Sequence, residues 1–129
     1  MKKILIINGH PNTESFNYAL HKAFKTGVLA TGQHSIDEIN VTTLDFNLNL
    51  SKGYSTGVTM EPDLVKAQEK IKAADHIVWI YPLWWGMMPA VLKGFIDRVF
   101  VPGFAFKYYN NSSTWDKLLK GKTTEILVG

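Results

Sequence analysis

Residues 77 to 99 read Ile77-Val78-Trp79-Ile80-Tyr81-Pro82-Leu83-Trp84-Trp85-Gly86-Met87-Met88-Pro89-Ala90-Val91-Leu92-Lys93-Gly94-Phe95-Ile96-Asp97-Arg98-Val99, and two periods meet in them. The first five residues are apolar without a break, as in a strand buried on both faces. Pro82 ends that strand. After a short connection, Leu92, Phe95, Ile96 and Val99 recur at i, i+3, i+4 and i+7, which is one apolar stripe along a helix. Pro89 suits the start of that helix, because the first turn has no use for its missing N–H. Strand, connection and helix in this order form the half-unit of a parallel sheet.

The same half-unit recurs toward the N-terminus. Ile4-Leu5-Ile6-Ile7 is a second fully apolar run and the predicted first strand. From Ser15 to about Thr31, Phe16, Leu20, Ala23, Phe24 and Val28 follow a helical period, and Gly32 suits the helix end. Ser35 to Val41 alternates and carries Asp37 and Glu38, so it tolerates water and belongs at a sheet edge. Residues 42 to 60 form a long connection with Gly53, Ser55, Thr56 and Gly57, a length that marks a functional or mobile loop. Pro62 then opens a helix with Leu64, Ala67, Ile71 and Ala74 on one stripe. Toward the C-terminus, Phe100, Phe104, Phe106, Tyr108 and Tyr109 crowd a loop, and Thr124 to Val128 is the predicted fourth strand. Right-handed crossovers with helices on both faces give an α/β, doubly wound parallel sheet of strand order 2-1-3-4, in one domain over residues 1–129.

Bulk properties exclude several classes. At 129 residues with 46% hydrophobic and 19% charged positions, the chain has the balance of one globular domain. It has no cysteine, which removes disulfides, thiolate metal sites and thiol nucleophiles and suits a reducing compartment. Lys2 and Lys3 precede an apolar run of only four residues, too short for a signal peptide core, and no stretch has the length of a membrane span. A cytoplasmic, soluble protein is expected. The net charge of +3 comes from scattered lysines, with a modest group at Lys117, Lys120 and Lys122. A solvated face explains them; no nucleic-acid partner is expected.

In an open sheet of this order, ligands bind outside the carboxyl ends of the strands where the order reverses, between the first and third. Two segments emerge there. Gly9-His10-Pro11-Asn12-Thr13-Glu14-Ser15-Phe16-Asn17 leads into a helix N-terminus, a natural anion site, although Ser15 or Thr13 could be plain helix caps. Pro82-Leu83-Trp84-Trp85-Gly86 puts two indoles at the mouth, suited to a planar aromatic ligand or to a dimer contact. His10, His21, His34 and His76 have no metal-ligand spacing and are expected at the surface or in caps, so no metal is expected. Glycine-rich dinucleotide and P-loop turns and a Gly-x-Ser-x-Gly elbow are absent. A two-component receiver domain has this architecture, but it needs acidic residues where this chain has Asn8-Gly9-His10 and Tyr81-Pro82.

These residues resemble the flavodoxin-like NAD(P)H dehydrogenase (quinone) family. The resemblance runs along nearly the whole chain and is carried by residues 9 to 17, by Ala73-Ala74-Asp75-His76-Ile77-Val78, and above all by residues 81 to 100. It implies a flavin, FMN or FAD. The phosphate region would lie against His10, Ser15, Phe16 and Asn17, with Pro82, Leu83, Trp84, Trp85 and Gly86 bordering the isoalloxazine. It further implies hydride transfer from NAD(P)H to the flavin N5 and on to a quinone-like acceptor, a homodimer, and a substrate-side role for Phe106 and Tyr108. No catalytic side chain is assigned.

Relatives continue beyond the fourth strand with another flavin loop, a fifth strand and a C-terminal helix. This chain ends at Gly129. The resemblance therefore leads to the expectation of a sheet lacking the fifth strand, with Ile126, Leu127 and Val128 near an open edge. A second reading stays open beside the oxidoreductase: a truncated protein that dimerises and binds flavin weakly or not at all, without turnover.

Overall fold

The computed structural model describes residues 1–54, 60–108 and 115–129, with the side chains of Tyr108 and Trp115 outside the description. The elements are β1 (Lys3–Asn8), α1 (Phe16–Ala30), β2 (Ser35–Asn40), a 3₁₀ turn (Val41–Thr43), α2 (Pro62–Ala73), β3 (His76–Tyr81), α3 (Ala90–Val99), β4 (Phe106–Tyr108), β5 (Trp115–Lys117) and β6 (Thr123–Val128).

Four strands form one parallel sheet in the order β2-β1-β3-β6. This is the predicted 2-1-3-4 arrangement. The fourth parallel strand is β6 in the chain because β4 and β5 pair as a small antiparallel hairpin in what the sequence presents as an aromatic loop. Three-residue strands are too short to leave a period in the sequence.

The central strands divide their side chains between two cores. Ile4 and Ile6 of β1 join Val78 and Ile80 of β3 beneath Leu20, Phe24 and Val28 of α1. Leu5, Ile7 and Ile77 face the other way, onto Leu64, Ala67 and Ile71 of α2 and Leu92, Phe95 and Val99 of α3. That alternation explains why β1 and β3 read as continuous apolar runs: each is covered on both faces. Each such side chain contributes roughly 1.5 to 3 kcal/mol by leaving water. β2 is an edge strand and half-exposed, as its alternation predicts.

The first part of the long connection after β2, around Asp45 to Leu48, is held more firmly than the length of the connection suggests. Buried Arg98 of α3 donates through Nη1 to the Asn47 carbonyl and through both terminal nitrogens to the Glu61 carboxylate. Glu61 also accepts the Asn47 N–H at 2.7 Å, and Asp63 accepts the Asp45 N–H at 2.7 Å. Gly94 lets this strap cross α3, since a Cβ there would fall 2.9 Å from the Leu48 carbonyl oxygen. Ser55, Thr56 and Gly57, and Tyr109 farther on, lie outside the described residues.

Candidate functional site

The carboxyl ends of β1, β3 and β6 converge. The Gly9 N–H donates to the Ile80 carbonyl at 2.8 Å, and the Gly129 N–H donates to the Tyr81 carbonyl at 3.2 Å. Both glycines sit where a side chain would collide. A Cβ on Gly9 would lie 2.6 Å from Leu92 Cδ2, and one on Gly129 would lie 2.5 Å from Asn17 Nδ2. The start of α3 and the start of α1 are thus drawn close to the strand ends.

The loop from Gly9 to Ser15 is shaped by side chains that accept backbone N–H groups two residues ahead. Asn8 Oδ1 accepts from His10 N at 3.0 Å, His10 Nδ1 from Asn12 N at 2.9 Å, and Asn12 Oδ1 from Glu14 N at 2.9 Å. Asn and similar short polar residues stabilise turns in this way. Ser15 takes the N-cap position of α1, but its hydroxyl caps nothing. Its Oγ and the Oδ1 of Asn17 are buried and find no hydrogen-bond partner among the described residues. A buried polar atom left alone costs about 1 to 3 kcal/mol. The first N–H groups of a helix also lack intrahelical partners, so unmet hydrogen-bonding groups collect at this end of α1. The capping alternative raised by the sequence is therefore set aside for Ser15.

The second segment forms a tight turn. Trp84 N–H donates to the Met87 carbonyl at 2.8 Å and Met87 N–H donates back at 2.9 Å. Trp85 and Gly86 between them have φ of 52° and 69°. Glycine accepts that conformation readily; tryptophan does not, and the left-handed region costs it roughly 1 to 2 kcal/mol. Trp85 is also 102% exposed, so no packing in this chain compensates. Backbone strain spent on presenting an indole to solvent marks a position kept for contact with something else. Pro82 is buried, whereas Leu83, Trp84, Gly86 and Met87 are exposed. The two segments touch where the His10 and Trp84 rings meet edge to face, with centroids 5.6 Å apart.

The sequence-predicted residues of the two loop segments thus gather at the strand ends. His10, Ser15, Asn17, Pro82, Leu83, Trp84, Trp85 and Gly86 lie on the two segments at the strand ends, and Phe16 is exposed at the start of α1. Phe106 belongs to the β4–β5 pair, and its ring meets that of Tyr54 in the long connection edge to face, with centroids 6.5 Å apart. Tyr108 is on β4, and its side chain lies outside the described residues.

Two buried positions beside these segments were not legible. Asn8 is fully buried at the end of β1, and His21, expected at the surface or in a cap, is 4% exposed on the inner face of α1. His21 instead joins Asn8 to Glu38 of β2. Glu38 also takes a hydrogen bond from Lys25. Partial burial works to raise the Glu38 carboxyl, but the hydrogen bonds from Lys25 and His21 prevail and hold it below the usual value. The signal available was Asn17 and His21 at i, i+4 on the same stripe as Leu20, Phe24 and Val28, which places polar groups on a helix face turned to the sheet. Among the described residues, no group of three or more acidic or histidine side chains could hold a metal, and no helix is long and apolar enough to cross a membrane.

A parallel sheet wound in both directions, with its loops gathered at the order reversal, defines a doubly wound α/β protein. The chain belongs to the flavodoxin-like fold family, whose model matches residues 2–128, and its relatives include NAD(P)H dehydrogenases (quinone). It is 30% identical to NAD(P)H dehydrogenase [quinone] 1 of Rattus norvegicus over 84% of this chain and 46% of that protein. A Haemophilus influenzae protein named as an uncharacterized NAD(P)H oxidoreductase is 36% identical over 96% of this chain and 62% of its own length. The solved NAD(P)H:quinone oxidoreductase of Methanothermobacter marburgensis superposes with a TM-score of 0.81 at 28% identity, covering 98% of this chain and 66% of that one. The chain therefore spans about half to two thirds of the length of these relatives.

Proposed function

We propose that this chain is the flavin-binding part of an NAD(P)H:quinone oxidoreductase. The observation that carries the reading is the uncapped start of α1, where Ser15 Oγ and Asn17 Oδ1 are buried without partners beside a strained turn that presents Trp85. This donor set fits a flavin. Ser15, Asn17, His10 and the first N–H groups of α1 would hold the phosphate or ribityl end, with the helix dipole favouring the anion. Trp84, Trp85, Leu83 and the backbone around Gly86 would border the ring system, which Phe16 helps to enclose.

When bound, the flavin supplies the two-electron chemistry between NAD(P)H and a quinone-like acceptor. The protein's share is to bind, orient and exclude water. The relatives named NAD(P)H dehydrogenase [quinone] 1 and NAD(P)H:quinone oxidoreductase support the choice of donor and acceptor. The reading includes a single cytoplasmic domain that works as a homodimer. The exposed Leu83, Trp84, Trp85 and Met87 make an apolar surface suited to a second copy, and Phe106 and Tyr108 would serve the acceptor across that contact.

Titration of the apoprotein with FMN and with FAD, followed by absorbance, tests the reading. Saturable uptake of one of them, weakened in Ser15→Ala, supports it; no uptake of either overturns it. Uptake without oxidation of NADH or NADPH in the presence of a soluble benzoquinone would leave the non-catalytic flavin binder in its place.

A further inference from the structure

Asn8 has three neighbours, and two of them leave no freedom in how its amide is placed. The His10 N–H can only donate, so the atom 3.0 Å from it is the Asn8 oxygen. The Asn17 carbonyl can only accept, so the atom 3.4 Å from it is the Asn8 NH₂. That same NH₂ lies 3.2 Å from His21 Nδ1. His21 Nδ1 must therefore accept, and its proton sits on Nε2, where Glu38 Oε2 receives it at 2.7 Å. Glu38 on the edge strand favours this tautomer, the tautomer supplies the acceptor that completes the Asn8 amide, and the amide holds the His10 N–H.

From His10 the bonds continue through Asn12 to Glu14, while Ser15 N–H donates to the Asn12 carbonyl at 3.3 Å. Asn8 also bonds the carbonyl of Asn17. Ser15 and Asn17, two of the residues whose buried oxygens find no partner among the described residues, are thus tied to the same amide, Ser15 through the loop and Asn17 directly. We propose that His21 is a positioning residue for the phosphate-side loop, acting through Asn8 and oriented by Glu38. The proposal rests on the flavin reading for its consequence, though not for its geometry.

Protonation of His21 would reverse its Nδ1 from acceptor to donor and set two N–H groups face to face in a buried site. The loop should then lose its anchor at the Asn8 end. The titratable groups around His21 are Glu14 of the loop, Tyr18, Lys22 and Lys25 of α1 and Glu38 of β2, which share with it a groove of about 450 Å³. Tyr18 stacks on the imidazole at 5.9 Å, and burial raises its phenol, so it stays neutral through the range in which an imidazole titrates.

Two variants separate position from fold. An asparagine side chain places an oxygen where the imidazole has Nδ1, so His21→Asn keeps the acceptor, and His21→Leu removes it. Dissociation constants for FAD should weaken about three- to tenfold in His21→Leu, the effect of one buried hydrogen bond, and His21→Asn should recover the parent affinity. Equal affinities in all three proteins would overturn the proposal.

The geometry is read independently of flavin. Nitrogen chemical shifts of His21 should report the Nε2–H tautomer, and the His10 amide should lose hydrogen-exchange protection in His21→Leu but keep it in His21→Asn. An Nδ1–H tautomer, or protection unchanged in His21→Leu, would sink the relay even if flavin binds. Failure of the parent chain to take up flavin while these signals hold would instead remove only the flavin reading.

Discussion

Gly9 and Leu92 lie so close that a Cβ on the glycine would fall 2.6 Å from the leucine Cδ2 and 2.9 Å from its Cβ. The contact sets how near α3 begins to the end of β1. Overpacking a well-filled site costs about 1 to 3 kcal/mol, and we expect Gly9→Ala to lose that much in urea unfolding. Leu92→Ala alone should also destabilise, because it empties a fully buried position. The double variant should be more stable than the two losses summed, since removal of the Leu92 Cγ and Cδ2 relieves part of the clash, although the 2.9 Å approach to the Cβ that alanine keeps remains. Strict additivity would mean that α3 yields without strain.

Ser15 and Asn17 should separate binding from folding. Among the described residues, Ser15 Oγ makes no bond that Ala would remove. Ser15→Ala should leave the midpoint of unfolding without flavin unchanged or slightly raised, while flavin affinity falls by about 0.5 to 3 kcal/mol. Asn17→Ala should weaken flavin in the same range and also cost stability, because its side chain is buried against Gly129. A Ser15→Ala variant that unfolds earlier but binds flavin equally well would place the hydroxyl in the fold instead.

At Trp85 the two demands oppose each other. Its φ of 52° and full exposure suit asparagine or glycine far better than an indole. Trp85→Asn should raise stability by about 1 kcal/mol, from relief of left-handed strain, and at the same time weaken flavin. Flavin should also quench much of the tryptophan emission of the parent chain. Emission retained at saturation, or Trp85→Asn with unchanged affinity, would argue that the indole serves a protein contact alone.

What the sequence shows of this fold is its periodic part. Ile4 to Ile7 and Ile77 to Tyr81 are apolar because both faces are covered, and Leu92, Phe95 and Val99 repeat because one face is. The site follows from strand order, since the loops after β1 and β3 meet wherever that order reverses. Hidden were the features that depend on partners distant in sequence. Nothing local ties Arg98 to Glu61 or His21 to Glu38, and nothing in two adjacent tryptophans announces that one adopts a left-handed turn. The hairpin of Phe106–Tyr108 with Trp115–Lys117 escaped because a strand of three residues has no measurable alternation.

The last expectation concerns acid. Glu61 is pushed down to about 2 from the ordinary carboxylate value, first by its hydrogen bonds from Arg98, with the Asn47 N–H assisting and partial burial opposing. A carboxyl depressed in the folded state binds its proton more readily when unfolded, so its contribution is complete above the unfolded value. It fades as pH falls from about 4.5 toward 2. Glu38 is lowered as well and adds a loss of the same sign. Glu61→Gln isolates the first contribution. The substitution removes the Glu61 charge from beside Arg98, whose side chain is 5% exposed, while the Glu61 side chain retains 28% of its exposure. The neutral-pH loss should therefore be about 2 to 3 kcal/mol, below the 3 to 5 kcal/mol of a fully buried pair. The stability difference between parent and variant should shrink as acid is added and close near the pH at which Glu61 itself is protonated. Urea midpoints measured from roughly pH 7 to 3 across the carboxylate range follow this directly. A constant gap across that range would mean that Glu61 holds the strap by hydrogen-bonding shape and not by charge.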